Sequence, residues 1–110
     1  MSVAKLPADF EFLKDMYEDG YFPNFLVDKV KSIIQETVSY IEEGNHSTED
    51  IQTSFDEMTL KINALQDEFE ENDSEIESVA RDSIGTTVES ILTYFNIDID
   101  TEEAIRERDW

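Results

Sequence analysis

The sequence predicts an all-α fold, a single-domain up-and-down bundle of four main helices followed by a short C-terminal helix. Its apolar residues recur every three or four positions over long stretches, which is the period of an amphipathic helix. The 110 residues include only three Gly and two Pro, so few positions interrupt a helix. The stretches between the periodic segments are short, which makes successive helices antiparallel.

Composition alone is typical of a disordered chain, since 28 acidic and 8 basic residues give a net charge of −20. The mean hydropathy is also negative, at −0.49. Against disorder, the chain contains one Trp, four Tyr and seven Phe, and its apolar residues follow a helical period. The pattern therefore predicts a folded domain, which self-repulsion destabilises and added salt should stabilise.

Residues 1–7 are expected to form a loose N-terminal tail, and the first helix is predicted over residues 8–18. The apolar face of this helix consists of Phe10, Leu13, Met16 and Tyr17. Gly20 is well placed to end it, because glycine readily adopts the left-handed conformation found after helices. The turn from Tyr21 to Asn24 follows, with two aromatic side chains that are expected to pack into the core.

The second helix is predicted to span about 20 residues, with Asn24 as its N-cap and the segment Gly44–His46 at its end. Its predicted buried stripe consists of Val27, Val30, Ile34, Val38 and Ile41. Polar residues occupy the opposite side, namely Asp28, Ser32, Gln35, Ser39 and Glu42. The pattern indicates one amphipathic helix with a single buried face.

The third helix is predicted to begin after Ser47, with Asp50 completing a capping box. Its apolar seam has the alternating spacing of an antiparallel bundle and consists of Ile51, Phe55, Met58, Ile62, Leu65 and Phe69. We expect one continuous helix along this seam, and the pair Asn72–Asp73 ends it.

The fourth helix is predicted to begin at a capping box formed by Ser74 and Glu77. Its inward residues are Ile76, Ala80, Ile84, Val88, Ile91 and Phe95. Gly85 lies inside this helix, where glycine costs about 1 kcal/mol of helix propensity. A close helix crossing, a local kink or a site that exposes the backbone would each account for it.

A short final helix is predicted after Asp100 or Thr101, with Ala104 and Ile105 facing inward. The preceding segment from Ile97 to Asp100 alternates between apolar and acidic residues, but it is too short and isolated to predict a strand.

The charge and composition exclude several classes of function. Eight scattered Lys and Arg residues cannot form the basic stripe that neutralises phosphates, so neither direct nucleic-acid binding nor attraction to an anionic membrane is expected. No apolar run approaches the ~18 residues of a membrane span, and the start of the chain lacks the pattern of a signal peptide. The chain has no cysteine, which excludes disulfides and thiolate ligands. We expect a cytoplasmic protein.

Three groups of segments are distinctive in their order and spacing, namely Leu13–Pro23 with Phe25–Lys29, Ser74–Glu77 with Ala80–Arg81, and Arg108–Trp110. Together they resemble an uncharacterised family (a domain of unknown function) of small, acidic, all-helical bacterial proteins. The resemblance covers most of the chain from about Leu13. It implies a bacterial, cytoplasmic, single-domain helical protein, and it supplies no activity, cofactor or catalytic residue.

The segment from Glu49 to Glu77 carries eleven acidic residues and one basic residue, Lys61. The acids avoid the apolar seam and therefore face solvent. We expect a non-catalytic interaction protein whose acidic face binds a basic protein, as an immunity protein, an inhibitor or a nucleic-acid mimic would. The predicted contact residues are Asp56, Glu57, Asp67, Glu68, Glu71 and Asp73. The alternative is an accessory domain whose charge serves only solubility.

A second alternative is a small magnesium-dependent nucleotide hydrolase, in which paired carboxylates hold the metal. Glu68 with Glu71, and Glu70 with Asp73, have the spacing that places two carboxylates on one helical face. These pairs lie at a helix end, and the second helix offers only the terminal residues Glu42 and Glu43 opposite them. The chain also has a single histidine, so no metal, cofactor or catalytic residue is assigned.

A set of five residues is a candidate pocket, namely Tyr17, Tyr21, Phe22, Arg81 and Trp110. The aromatic members, together with Phe25, either close one end of the bundle or form a recognition surface. Arg81 either pairs with Glu77 or the C-terminal carboxylate, or it marks an anion site. The expected oligomeric state is a monomer or a weak homodimer.

Overall fold

The computed structural model describes residues 5–110 as an all-helical protein with no strand in that range. Its six helices are α1 (Lys14–Glu18), α2 (Asn24–Glu42), α3 (Thr48–Ala64), α4 (Gln66–Glu71), α5 (Ser78–Tyr94) and α6 (Thr101–Ala104). The predicted all-α class is therefore confirmed. The overall dimensions are 46 × 28 × 18 Å. None of the described helices is long and apolar enough to cross a membrane.

The three long helices are α2, α3 and α5, and α2 with α3 forms the most extensive helix pair. Lys61 on α3 contacts Glu36 on α2, and Lys29 on α2 contacts Glu68 beyond the end of α3, so this pair is antiparallel. α5 packs mainly against the short helices α1 and α6. The short helices thus join α5 to the α2–α3 pair.

The start of the described chain contacts the body of the protein. The backbone N–H of Leu6 donates to the carboxylate of Glu42 at 2.9 Å, and the Tyr94 hydroxyl donates to the carbonyl of Lys5 at 2.7 Å. Residues 5–7 of the predicted tail have no helical structure, and residues 1–4 lie outside the described part of the chain.

The first helix is much shorter than the predicted span of residues 8–18. Leu13 has a positive φ of 55°, a left-handed conformation that a right-handed helix cannot pass through. This backbone conformation accompanies a contact with α5, because the N–H of the buried Leu13 donates to the hydroxyl of Thr87 at 3.1 Å. Helical structure therefore begins only at Lys14, although Leu13 and Met16 are both buried as expected.

The second helix matches its prediction closely. The five residues of the predicted stripe, Val27, Val30, Ile34, Val38 and Ile41, are all buried. The expected N-cap is wrong, because the helix begins at Asn24 itself and the cap position is Pro23, which has no side-chain hydrogen bond to offer. Gly44, with a φ of 78°, follows the end of the helix in the left-handed conformation.

The third helix begins as predicted, since the Ser47 hydroxyl accepts a hydrogen bond from the N–H of Asp50 at 3.0 Å. The predicted continuous helix to Phe69 is wrong, because α3 ends at Ala64 and α4 begins at Gln66. Between them, the N–H of Leu65 donates to the carbonyl of Ile62 at 2.9 Å, which is a tighter turn than an α-helix makes.

The capping box predicted for the fourth long helix is wrong, since α5 begins at Ser78 and not after Ser74. Ser74 instead completes the end of α4, where its N–H donates to the carbonyl of Phe69 at 2.9 Å and the N–H of Asp73 donates to Glu70 at 3.1 Å. Asp73 has a φ of 59° between them, so this is a Schellman motif. The inward residues of α5 from Ala80 to Ile91 are buried as predicted.

The C-terminal segment runs alongside α3. After α6, which has the predicted buried pair Ala104 and Ile105, Arg106 forms an ion pair with Asp56. Asn63 donates to the carbonyl of Glu107 at 2.8 Å. Asn63 also accepts the N–H of Asp109 at 3.2 Å. These contacts hold Arg106–Trp110 against the middle and end of α3.

Gly85 does not mark a close helix crossing. A Cβ atom added to this residue would meet no other atom within 4 Å, and the residue lies inside the regular helix α5. Neither packing nor the backbone conformation therefore requires glycine at this position.

Replacing Gly85 by Ala is expected to raise the free energy of unfolding by about 1 kcal/mol, because alanine restores helix propensity at an open position. Urea unfolding followed by circular dichroism measures the change. Gly44→Ala is the opposing control, since a side chain is disfavoured at its φ of 78° and stability should fall. A Gly85→Ala variant less stable than the parent chain would contradict this assignment.

Candidate partner-binding surface

Most acidic side chains have no basic neighbour within the described residues. Lys and Arg side chains lie within 4.0 Å of six carboxylates, those of Glu11, Glu36, Glu68, Asp56, Glu102 and Glu107. The remaining carboxylates of the described residues have no Lys or Arg side chain within this distance, so their distribution decides which face attracts a cation.

The highest local density of exposed, unpaired carboxylates lies on α4 and the turn that follows it. We call these residues the α4 acidic surface, which consists of Asp67, Glu70, Glu71, Asp73 and Glu75. Phe69 on the opposite side of α4 is fully buried and fixes this orientation. The Schellman motif at Asp73 then turns the chain, and the five acids fall within the nine residues from Asp67 to Glu75.

The structure brings three of the six predicted contact residues together on this surface, namely Asp67, Glu71 and Asp73. Glu68 lies beside them, and its carboxylate accepts a hydrogen bond from the Lys29 ammonium at 2.5 Å. Glu68 is therefore partly neutralised by an internal pair that links α2 to α4.

The other two predicted contact residues lie elsewhere. Two nitrogens of the Arg106 guanidinium donate to the two carboxylate oxygens of Asp56, at 3.1 and 2.7 Å, so the C-terminal segment neutralises this carboxylate. Glu57 lines a small groove between α2 and α3 together with Tyr40. Partial burial and the carboxylates of Asp50, Glu43 and Glu57 raise the pKa of the Tyr40 hydroxyl.

Two large aromatic side chains are exposed next to the α4 acidic surface. Tyr21 is 44% exposed and Phe25 is 49% exposed. Partial burial and the nearby carboxylates of Glu75 and Glu77 raise the pKa of the Tyr21 hydroxyl. Phe25 lies 6.0 Å from the Lys29 ammonium that pairs with Glu68. The sequence groups Tyr21 and Phe25 with other aromatic residues, but nothing in it indicates that they lie beside the acids of α4.

The five residues of the candidate pocket differ in their contacts. Phe22 is buried against Tyr21, and the Tyr17 hydroxyl donates to Asp28 at 2.5 Å. Trp110 packs against the core near Arg108, whose guanidinium lies 6.0 Å from the indole ring.

Arg81 lines a different feature, an open cleft of about 680 Å³ between α5 and the segment around α6. Gly85, Glu89 and Asp100 also line this cleft. Arg81 makes no ion pair with Glu77 or with any other acid of residues 5–110, and its guanidinium therefore faces solvent.

Three of the carboxylates considered for a metal site have separate partners, whereas Glu70, Glu71 and Asp73 have none among the described residues. Glu42 accepts the N–H of Leu6 at 2.9 Å, Glu43 lies 3.4 Å from His46, and Glu68 pairs with Lys29. Across the described residues, no three His, Asp or Glu side chains converge to hold a metal ion.

The fold and this surface define a small all-α protein with a strongly acidic face. Residues 6–110 match the family described as "Family of unknown function (DUF5713)", and the chain belongs to that family. No curated protein matches the chain, and no solved structure does.

The Tyr17–Asp28 contact predicts an alkaline titration. Burial, the hydrogen bond to Asp28 and its negative charge raise the pKa of the Tyr17 hydroxyl from 10.0 to about 12. The folded state therefore favours the neutral phenol, so this stabilisation is complete below pH 10.0 and is lost as the pH rises towards about 12.

In ultraviolet absorbance of tyrosinate, the last ionisation, at a pKa of about 12, should disappear in Tyr17→Phe. In Asp28→Asn, the same ionisation should move down towards the ordinary tyrosine value. An ionisation at a pKa of about 12 that persists in Tyr17→Phe would belong to another tyrosine and would contradict the Tyr17–Asp28 contact.

Proposed function

We propose that this protein is a non-catalytic interaction protein that binds a basic protein partner through the α4 acidic surface. The observation that carries the proposal is the concentration of exposed, unpaired carboxylates on one short helix and its turn, next to two exposed aromatic rings. An inhibitor, an immunity protein or a nucleic-acid mimic would use such a surface against a cationic target.

The two kinds of side chain have different roles in this proposal. The carboxylates attract and orient a cationic partner over a distance of about one Debye length, ~10 Å at 0.1 M salt. Aromatic side chains supply most binding energy in many interfaces, because they bury a large apolar area at a small entropic cost. Tyr21 and Phe25 are the exposed aromatics next to the carboxylates, so we assign them the main share of affinity.

The internal ion pairs narrow the predicted contact set. Asp56 holds the C-terminal segment through Arg106, and Glu68 links α4 to α2 through Lys29. A partner's cation would have to displace an existing partner at either residue. We therefore propose Asp67, Glu71 and Asp73 as the principal charged contacts.

Reversing these three charges, in Asp67→Lys with Glu71→Lys and Asp73→Lys, is expected to weaken partner binding by about 100-fold at low salt, because like charges then face the partner. The measurement is a pull-down from nuclease-treated native lysate, eluted by a salt gradient and read by mass spectrometry. The parent chain should retain one stoichiometric basic protein beyond ~0.3 M salt, where general charge attraction is largely screened.

A matched control carries the same total change of charge on a different face. Asp82, Glu89 and Asp98 are exposed and unpaired within the described residues, and each is replaced by Lys in this control. The control should retain the partner captured by the parent chain. Equal loss in both variants would show that only net charge matters and would refute the proposed surface, as would retention of the partner by the α4 variant.

A further inference from the structure

A shallow groove of about 340 Å³ lies between α2 and the junction of α3 with α4. Asp28, Lys29, Ser32, Ile33 and Leu65 line it. Ile33 and Leu65 are half-buried, and each packs against the core on one side and forms the apolar floor of the groove on the other. The groove thus offers apolar surface in a molecule whose exterior is mostly charged.

The groove continues towards the N-terminus of α2. Phe25, Lys29 and Ile33 recur every fourth residue, so they form one row along α2. The distance along the helix from Phe25 to Ile33 is about 12 Å, or somewhat more than two turns. Phe25 lies beyond the five residues that line the groove, and its exposed ring is on the same side of α2 as Ile33.

Carboxylates border this groove. Asp28 lines it directly, and Glu68 reaches Lys29 on its wall at 2.5 Å. Glu71 follows Glu68 by three residues on the same face of α4. The border is therefore continuous with the α4 acidic surface, and an apolar floor lies beside a negatively charged edge.

We infer that this groove receives an amphipathic basic helix of the partner. The inference rests on the proposed function and adds the form of the bound segment. Apolar side chains spaced at i, i+3 or i+4 and i+7 would contact Phe25, Ile33 and Leu65, because Phe25 and Ile33 are about two turns apart on α2 and Leu65 lines the groove with Ile33. Lys or Arg residues on the adjoining face would meet Glu71 and its neighbours on the α4 acidic surface, while Glu68 keeps its ion pair with Lys29.

Charge complementarity selects this occupant over a second copy of the chain. Two copies that met at the groove would bring their α4 acidic surfaces together, and each copy has a net charge of −20. Like charges across an interface oppose association. A cationic helix would cover the same apolar floor without the repulsion between two α4 acidic surfaces.

The experiment uses two synthetic peptides of identical Leu and Lys composition. In the first, the leucines align along one face of a helix, and in the second they are scattered around it. Isothermal titration calorimetry at about 0.1 M and 0.5 M NaCl measures binding to the full chain, because the higher salt screens most of the charge attraction. The aligned peptide should bind at least ~10-fold more tightly than the scattered peptide at the higher salt.

Variants of the chain then locate the bound peptide. Phe25→Ser should weaken binding of the aligned peptide at high salt by at least ~10-fold, because one large apolar contact is lost. Leu60→Ser is the matched control, since Leu60 is 52% exposed and does not line the groove. It should change affinity by less than ~2-fold. Circular dichroism of both variants establishes that each remains folded.

Several outcomes would overturn the inference. They are equal affinity for the two peptides at high salt, equal effects of the two variants, or a stable dimer of the chain that Phe25→Ser dissociates in sedimentation experiments. If Phe25→Ser binds the partner of the pull-down normally while the α4 charge reversal abolishes that binding, the proposed function stands and the groove is refuted. If the charge reversal leaves the partner bound, the proposed function itself fails.

Discussion

Self-repulsion constrains every part of this structure. With 28 acids and 8 bases, the chain cannot neutralise its own charge, so it must fold while keeping nearly all carboxylates in water. Each long helix therefore has one buried apolar stripe, as from Val27 to Ile41 on α2, and a polar opposite side. Burial of these stripes must outweigh both chain entropy and charge repulsion. Where a helix is short and buries a single large residue, as α4 does with Phe69, its carboxylates are crowded together.

The periodicity of apolar residues was sufficient to predict the helical class and the buried faces of the long helices. The boundaries it predicted incorrectly are set by contacts between residues far apart in sequence or by local backbone geometry. Leu13 adopts a left-handed conformation while bonding to Thr87, which lies 74 residues later. Ser74 completes the Schellman motif of the preceding helix. A serine is also common as the N-cap of the next helix, so the residue type alone does not separate the two roles. The spacing of apolar residues along the sequence contains no information on either contact.

The same reasoning explains what could be predicted of the candidate surface. The acid pattern along the sequence predicted that Asp67, Glu71 and Asp73 face solvent, and all three are exposed and unpaired within the described chain. It could not distinguish them from Asp56, because the cation that neutralises Asp56 is Arg106, at a separation of 50 residues. The placement of Tyr21 and Phe25 beside α4 also depends on tertiary packing. Charge patterns therefore predict where acids are dense, and only the fold shows which of them remain unpaired.

The positions of the few basic residues bear on the proposed binding of a basic partner. Lys29 links α2 to α4, Lys61 links α3 to α2, and Arg106 links the C-terminal segment to α3. Each such pair at the surface contributes little energy, typically 0–1 kcal/mol, but it occupies a cation that would otherwise offset nearby acids. Because these bases are used between elements, the outer side of α4 has no cation of its own within the described residues. A partner that supplies basic groups there would reduce the repulsion among the five carboxylates of the α4 acidic surface. The loss of this repulsion would contribute to the free energy of binding.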